Sequence, residues 1–81
     1  MKPLRVGLIG YEGVQALDLV GPADAFSMAR AEDGNGNAQP CYEIVVIGSS
    51  SRPFRAESGV LLQPQTTLRR APALDTLIIP G

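Results

Sequence analysis

Residues 4–26 read LRVGLIGYEGVQALDLVGPADAF. The stretch opens on LRVGLIG (residues 4–10), a short apolar run interrupted only by Arg5 and closed by Gly10. A run of that length, followed by turn residues, reads as a strand buried on both faces, the kind that builds parallel sheets. YEG (residues 11–13) then makes a turn. Val14, Leu17, Leu19 and Val20 begin a helical or irregular stretch that Gly21-Pro22 is expected to break. Pro22 suits the first position of a new helix, with Gly21 as its cap. Asp24 then falls in the first turn, where the helix dipole favours a negative charge. The helix is expected to run on through PADAFSMARAED, with Ala25, Phe26 and Ala29 on one face.

Outward from this stretch the pattern alternates. GNGN (residues 34–37) ends the helix and starts a polar loop that reaches Pro40. CYEIVVIG (residues 41–48) is rich in β-branched residues and reads as a second strand. SSSRP is a loop. FRAESGVLLQP reads as two short strands around Ser58-Gly59, an edge hairpin or extended arm. TTLRRAP reads as a short helical turn that Thr66 or Thr67 would cap. LDTLIIPG (residues 74–81) is a third apolar strand. Strand, helix, strand, hairpin, helical turn and strand in that order imply an α/β fold with a parallel sheet and right-handed crossovers. In such sheets ligands bind at the carboxyl ends of the strands. Three loops meet that description: residues 10–13, 48–51 and 80–81.

The bulk composition narrows the function. Of 81 residues, 44% are hydrophobic and 19% charged, which describes a globular chain rather than a disordered one. With two Tyr, two Phe and no Trp, the core must be aliphatic. Seven basic against eight acidic residues, a net charge of -1, offer no basic face for a phosphate backbone. One cysteine excludes an internal disulfide and fits a reducing, cytoplasmic setting. No apolar run is long enough to span a bilayer, and Gly7 and Gly10 make the amino terminus structure rather than a signal peptide. No His/Cys cluster has zinc spacing, so neither a metal nor a cofactor is expected. GYEGVQ lacks the Gly-Lys-Ser/Thr ending of a phosphate loop. GNGNAQ follows a helix, not a strand, and so lacks the context of a dinucleotide site.

Three segments together, RVGLIGYEGVQALDLVGPADAF, RAESGVLLQP and APALDTLIIPG, resemble the start of the ThiJ/PfpI superfamily, whose fold is that of class I glutamine amidotransferases. The most specific element is LDLVGPADAF just after the first strand. The others are the ESG at residues 57–59 and the PALDTLIIPG from Pro72 to Gly81. The resemblance covers nearly the whole chain. It implies a flavodoxin-like parallel sheet with helices on both faces and a small edge hairpin. A doubly wound sheet of this kind has five or more strands, so residues 1–81 are expected to be the N-terminal, incomplete part of the domain. Within the superfamily the sequence is most similar to the sensor domain of AraC-type transcriptional regulators and to isocyanide hydratase. The polar insertion AEDGNGNAQP before the second strand favours the regulators.

The resemblance also implies roles. Asp18 stands where the superfamily's enzymes carry an acid that touches a cysteine nucleophile at a strand-to-helix elbow. A carboxyl group enclosed in an apolar pocket beside a thiolate has a raised pKa, and once protonated it can donate a hydrogen bond to sulfur. Read from local sequence alone, Asp18 is a solvated residue on the wet side of an amphipathic turn. Gly81 stands where the family places a backbone N–H in an anion or oxyanion site. Tyr11, Asp18 and Gly81 are thus the candidate ligand-binding residues, with Asp18 catalytic if the parent is an enzyme. Tyr11 and Glu12 lie in the first crevice loop, and Glu12 reads as a solvated acid. Cys41, the only thiol, opens the second strand at the amino end of the sheet and has no histidine to serve as its base, so it reads as a packing residue. The expected partners are a small-molecule ligand and a second copy of the chain, with Arg52, Phe54 and Arg55 as a candidate dimer contact. DNA would be reached only through a further domain. The alternative parent is a hydro-lyase or hydrolase of the isocyanide hydratase kind, with Asp18 serving a cysteine beyond residue 81.

Overall fold

Leu4–Ile9 forms β1, and the rest of the chain is arranged around it. The computed structural model describes residues 2–81. After β1 come a helix, α1 (Ala16–Ser27), and a small hairpin, β2 (Arg30–Glu32) and β3 (Ala38–Pro40). Next are β4 (Tyr42–Gly48), a second hairpin of β5 (Phe54–Arg55) and β6 (Leu61–Leu62), then β7 (Thr66–Thr67) and β8 (Thr76–Ile78). The main sheet has the order β7-β4-β1-β8. Every pairing in it is parallel. The two hairpins are antiparallel and stand outside it.

Strand register decides the core. Leu8 lies opposite Val46 on one side and Ile78 on the other. Successive strand side chains alternate faces, so Val6 and Leu8 share a face with Ile44, Val46 and Ile78. That face packs against Leu19, Ala23 and Phe26 of α1 and against Phe54, Ala56 and Leu62 of the second hairpin. Phe26 meets Tyr42 edge to face, ring centroids 4.9 Å apart. Gly7 belongs to the opposite face, where a β-carbon would come within 3.1 Å of Leu74 and Ile47. The described residues place one helix, against the Val6 and Leu8 face. On the other face Leu77 and Ile79 remain exposed.

Arg5, the one charge in the first apolar run, stitches strands together. Its N–H donates to the Asp75 carboxylate (2.8 Å) and its guanidinium to the Ala73 carbonyl (3.2 Å), while the Asp75 N–H returns to the Arg5 carbonyl. It also pairs with Glu43 at 3.3 Å. That pair is half-exposed and contributes at most about 1 kcal/mol. Gln65 holds β4 at the other side, donating its backbone N–H to the Val46 carbonyl and accepting the Val46 N–H on its side chain.

Four expectations are corrected. The helix does not begin at Pro22; it starts at Ala16 and carries Pro22 inside. Leu19, Ala23 and Phe26 recur at spacings of four and three on the buried side, and their packing continues the helix through a residue that costs one backbone hydrogen bond. The carbonyl left without that donor is the one four residues back, that of exposed Asp18. Ala25 faces outward rather than inward. The helix also stops at Ser27 instead of continuing through ARAED. Arg30–Glu32 pairs with Ala38–Pro40, and the Cys41 N–H donates to the Ala29 carbonyl (3.1 Å). Residues 33–37 are therefore a hairpin tip, with Gly34 and Gly36 at positive φ. Finally, Thr66 and Thr67 do not cap a helical turn. They add a parallel edge strand to β4 before a turn closed by Arg70 N–H on the Thr67 carbonyl.

The hairpin tip has a pH signature. The Asp33 carboxylate accepts the N–H groups of Asn35 (2.8 Å) and Asn37 (3.3 Å). The Asn35 bond foremost holds Asp33 below the ordinary carboxylate pKa. A pKa depressed in the folded state stabilises above the unfolded value and is lost as pH falls through the lowered one. Acidification is therefore expected to shift the Asn35 and Asn37 amide resonances together, with a midpoint below the normal aspartate range. Asp33→Asn should abolish that transition.

Candidate functional site

The carboxyl ends of β1, β4 and β8 meet at one rim, as parallel pairing requires. Gly10 follows β1 directly beneath the Phe54 ring. Tyr11 then reaches sideways, its hydroxyl donating to the Pro80 carbonyl at 2.9 Å. This bond ties the loop after β1 to the end of the third apolar strand, across 69 residues of sequence. Gly13 takes φ 86°, which only glycine adopts without strain, and turns the chain toward α1.

The second hairpin clamps this loop at three points. The Arg55 N–H donates to the Glu12 carboxylate (2.6 Å) and the Gly13 N–H to the Arg55 carbonyl (2.8 Å). The Glu57 N–H donates to the Val14 carbonyl (2.9 Å). Glu12 is exposed, as a solvated acid should be, but its carboxylate is also the acceptor that seats β5. Residues 12 and 55 are too far apart in sequence for local reading to find that bond. The Arg55 guanidinium turns away to the Gly59 carbonyl.

α1 begins two residues after Val14, with Gln15 as an N-cap that makes no side-chain capping bond. Asp18 lies in the first turn, where its charge favours the helix amino end. Of the apolar run around it, Leu19 is buried while Leu17 is 78% exposed. Asp18 itself is exposed, and no hydrogen bond among the described residues uses its carboxylate. The apolar enclosure expected around it is thus not supplied by residues 2–81. The reason is helical geometry: Leu19 is the residue of this turn that faces the sheet, and Asp18, one position earlier, points elsewhere.

The rim holds a cavity of about 500 Å³ on the β1/β4 side. Residues 10–12 form one wall and residues 48–50 and 52–54 the other. Of the candidate residues it takes in Tyr11 but neither Asp18 nor Gly81. Gly81 is exposed beyond buried Pro80. Because the Pro80–Gly81 peptide is trans, its N–H points opposite to the carbonyl that Tyr11 holds. Cys41 is a half-buried free thiol just ahead of β4, at the other end of the sheet. No helix of the described residues is long and apolar enough to cross a membrane.

Parallel strands, a crossover helix and functional loops gathered at the strand carboxyl ends define an open α/β domain of flavodoxin-like architecture. No family model matches the chain. A crystal structure of a ThiJ/PfpI family protein from Pseudomonas syringae superposes with a TM-score of 0.78 and 26% identity, covering all of this chain and 30% of that one. Oxidised DJ-1 of Toxoplasma gondii shares the fold, with a TM-score of 0.76 at 18% identity over 96% of this chain and 38% of its own. Isonitrile hydratase of Pseudomonas putida is 28% identical over 78 residues, 96% of this chain and 30% of the enzyme. An uncharacterized protein in the cpoL 5' region of Streptomyces lividans is 33% identical over 79 residues, 98% of this chain and 52% of that protein. In fold and sequence the chain is similar to proteins of the ThiJ/PfpI superfamily, and it spans about half the length of the Streptomyces relative and under a third of the hydratase.

Proposed function

We propose that the chain is the acid-bearing part of a small-molecule site in a ThiJ/PfpI-type sensor domain of an AraC-type transcriptional regulator. The observation that carries this reading is the placement of Asp18. It is exposed in the first turn of α1, immediately after the strand-end loop. The chain offers a ligand at the rim an exposed carboxylate at Asp18 and a backbone N–H at Gly81. DNA contact belongs to the rest of such a regulator; a dimer contact through the second hairpin would use Arg52 and Arg55 but not Phe54, which is 5% exposed and part of the core. A cytoplasmic location is part of the same proposal.

The similarity to isonitrile hydratase favours a second reading. In it Asp18 relays protons as water adds across an isocyanide carbon to give a formamide, with a cysteine from further along the chain as its partner. The complete gene product separates the two. The sensor reading expects promoter DNA retained in a gel-shift assay, retention that changes with ligand, and no conversion of p-nitrophenyl isocyanide. Conversion that Asp18→Asn reduces by about 100-fold or more, the scale of a lost general acid, would replace the sensor by the hydratase. The 81-residue chain alone is expected to convert none, and turnover surviving Asp18→Ala would refute the assignment of Asp18 in both readings.

A further inference from the structure

The cavity on the β1/β4 side of the rim is lined by neither Asp18 nor Gly81. Its walls carry opposite charges. Glu12 comes from the loop after β1 and Arg52 from the loop after β4. They do not pair with each other: the ion pair found among the described residues joins Arg5 and Glu43. Glu12 is met by one neutral backbone N–H, that of Arg55, which leaves its charge uncompensated. The Arg52 guanidinium has no hydrogen-bonding partner among the described residues, although its backbone N–H is held by the Ser50 hydroxyl oxygen (3.3 Å). Ser49 and Ser50 add hydroxyls to the same wall, and Phe54 and Pro53 give it an apolar floor.

We propose that this cavity is a binding site for a small zwitterion of the α-amino-acid type, its carboxylate on Arg52 and its ammonium on Glu12. A simple anion would face Glu12 and a simple cation Arg52, and each like-charge contact opposes binding. A molecule bearing both charges satisfies both walls at once. Arg presents a planar fork that matches a carboxylate, and the serine hydroxyls supply further donors. The cavity volume of about 500 Å³ lies within the range of small-molecule sites. Both charges are exposed, so the site is weak and salt-sensitive. The inference is independent of the chemistry proposed at Asp18.

The test is a titration of the ¹⁵N-labelled chain with L-alanine, propionate and ethylamine, followed by amide shifts. L-Alanine should move residues 10–12 and 48–54, while propionate and ethylamine, each lacking one charge, should bind about tenfold or more weakly, the scale of a lost charge-assisted hydrogen bond. Glu12→Gln and Arg52→Gln should each bring L-alanine down to that level. Glu12→Gln keeps an oxygen for the Arg55 N–H, so the hairpin stays seated and a dispersed amide spectrum confirms it. Arg70→Gln, on the exposed turn after β7, should change nothing. Equal binding of propionate and L-alanine, shifts confined to other residues, or no shift in the millimolar range would each overturn the proposal. None of these outcomes bears on Asp18.

Discussion

Leu8→Ala is expected to remove about 3–4 kcal/mol of folding stability, read as a fall in the urea midpoint at constant slope. Leu8 is 0% exposed and sits on the central strand of the sheet. Its side chain is the meeting point of both sheet neighbours, Val46 and Ile78, with the layer formed by α1 and the second hairpin. Truncation there leaves a void bounded by two strands and a helix, none of which can move into it without breaking backbone pairing. The cost is thus lost transfer energy plus cavity. Leu77→Ala, on the neighbouring strand but 49% exposed, should cost about 1 kcal/mol or less. A domain of this size has little stability to lose, so Leu8→Ala should leave a substantial unfolded fraction without denaturant. Equal effects of the two substitutions would mean that the core does not lie on the Val6 and Leu8 face.

The same alternation made the strands legible in advance. LRVGLIG, CYEIVVIG and LDTLIIPG each combine an apolar run with a closing glycine, and all three became parallel strands of one sheet. The Phe54–Leu62 hairpin was visible through Ser58-Gly59, whose glycine takes φ 95°. Misreadings fell where tertiary contacts overrule local preference. Arg30, Ala31 and Glu32 are helix formers, yet the Ala29 carbonyl is claimed by the Cys41 N–H and the segment pairs with Ala38–Pro40. Thr66–Thr67 is too short to show a period, and only the edge of β4 makes it a strand. At the site, the positions of Tyr11 and Glu12 followed from the strand-end rule, and both line the cavity. Asp18 is exposed, as its local sequence suggests, and the apolar pocket that the resemblance implies for it is not formed by the described residues. The bonds from Tyr11 to Pro80 and from Arg55 to Glu12 join residues distant in sequence, and no local pattern announces them.

Gly10 is the position where the rim depends on a missing side chain. A β-carbon there would overlap Cζ of Phe54 and lie 2.5 Å from Cε1 and 2.8 Å from Cε2. The ring cannot step aside, because Phe54 is 5% exposed and belongs to the core cluster with Val6, Leu8 and Leu19. Gly10→Ala is therefore expected to cost about 2–3 kcal/mol, through displacement of the hairpin rather than loss of any contact. The displaced hairpin carries Arg55, so the bonds to Glu12 and Gly13 should weaken with it, and their amide protons should exchange faster. Phe54→Ala alone should cost about 3–5 kcal/mol, since it empties the space that the ring fills. In the double variant the new methyl occupies part of that space. The pair should then be no less stable than Phe54→Ala by itself, a coupling of about 2 kcal/mol in the favourable direction. Additive losses would place the ring away from Gly10, and with it the hairpin that walls the strand-end cavity.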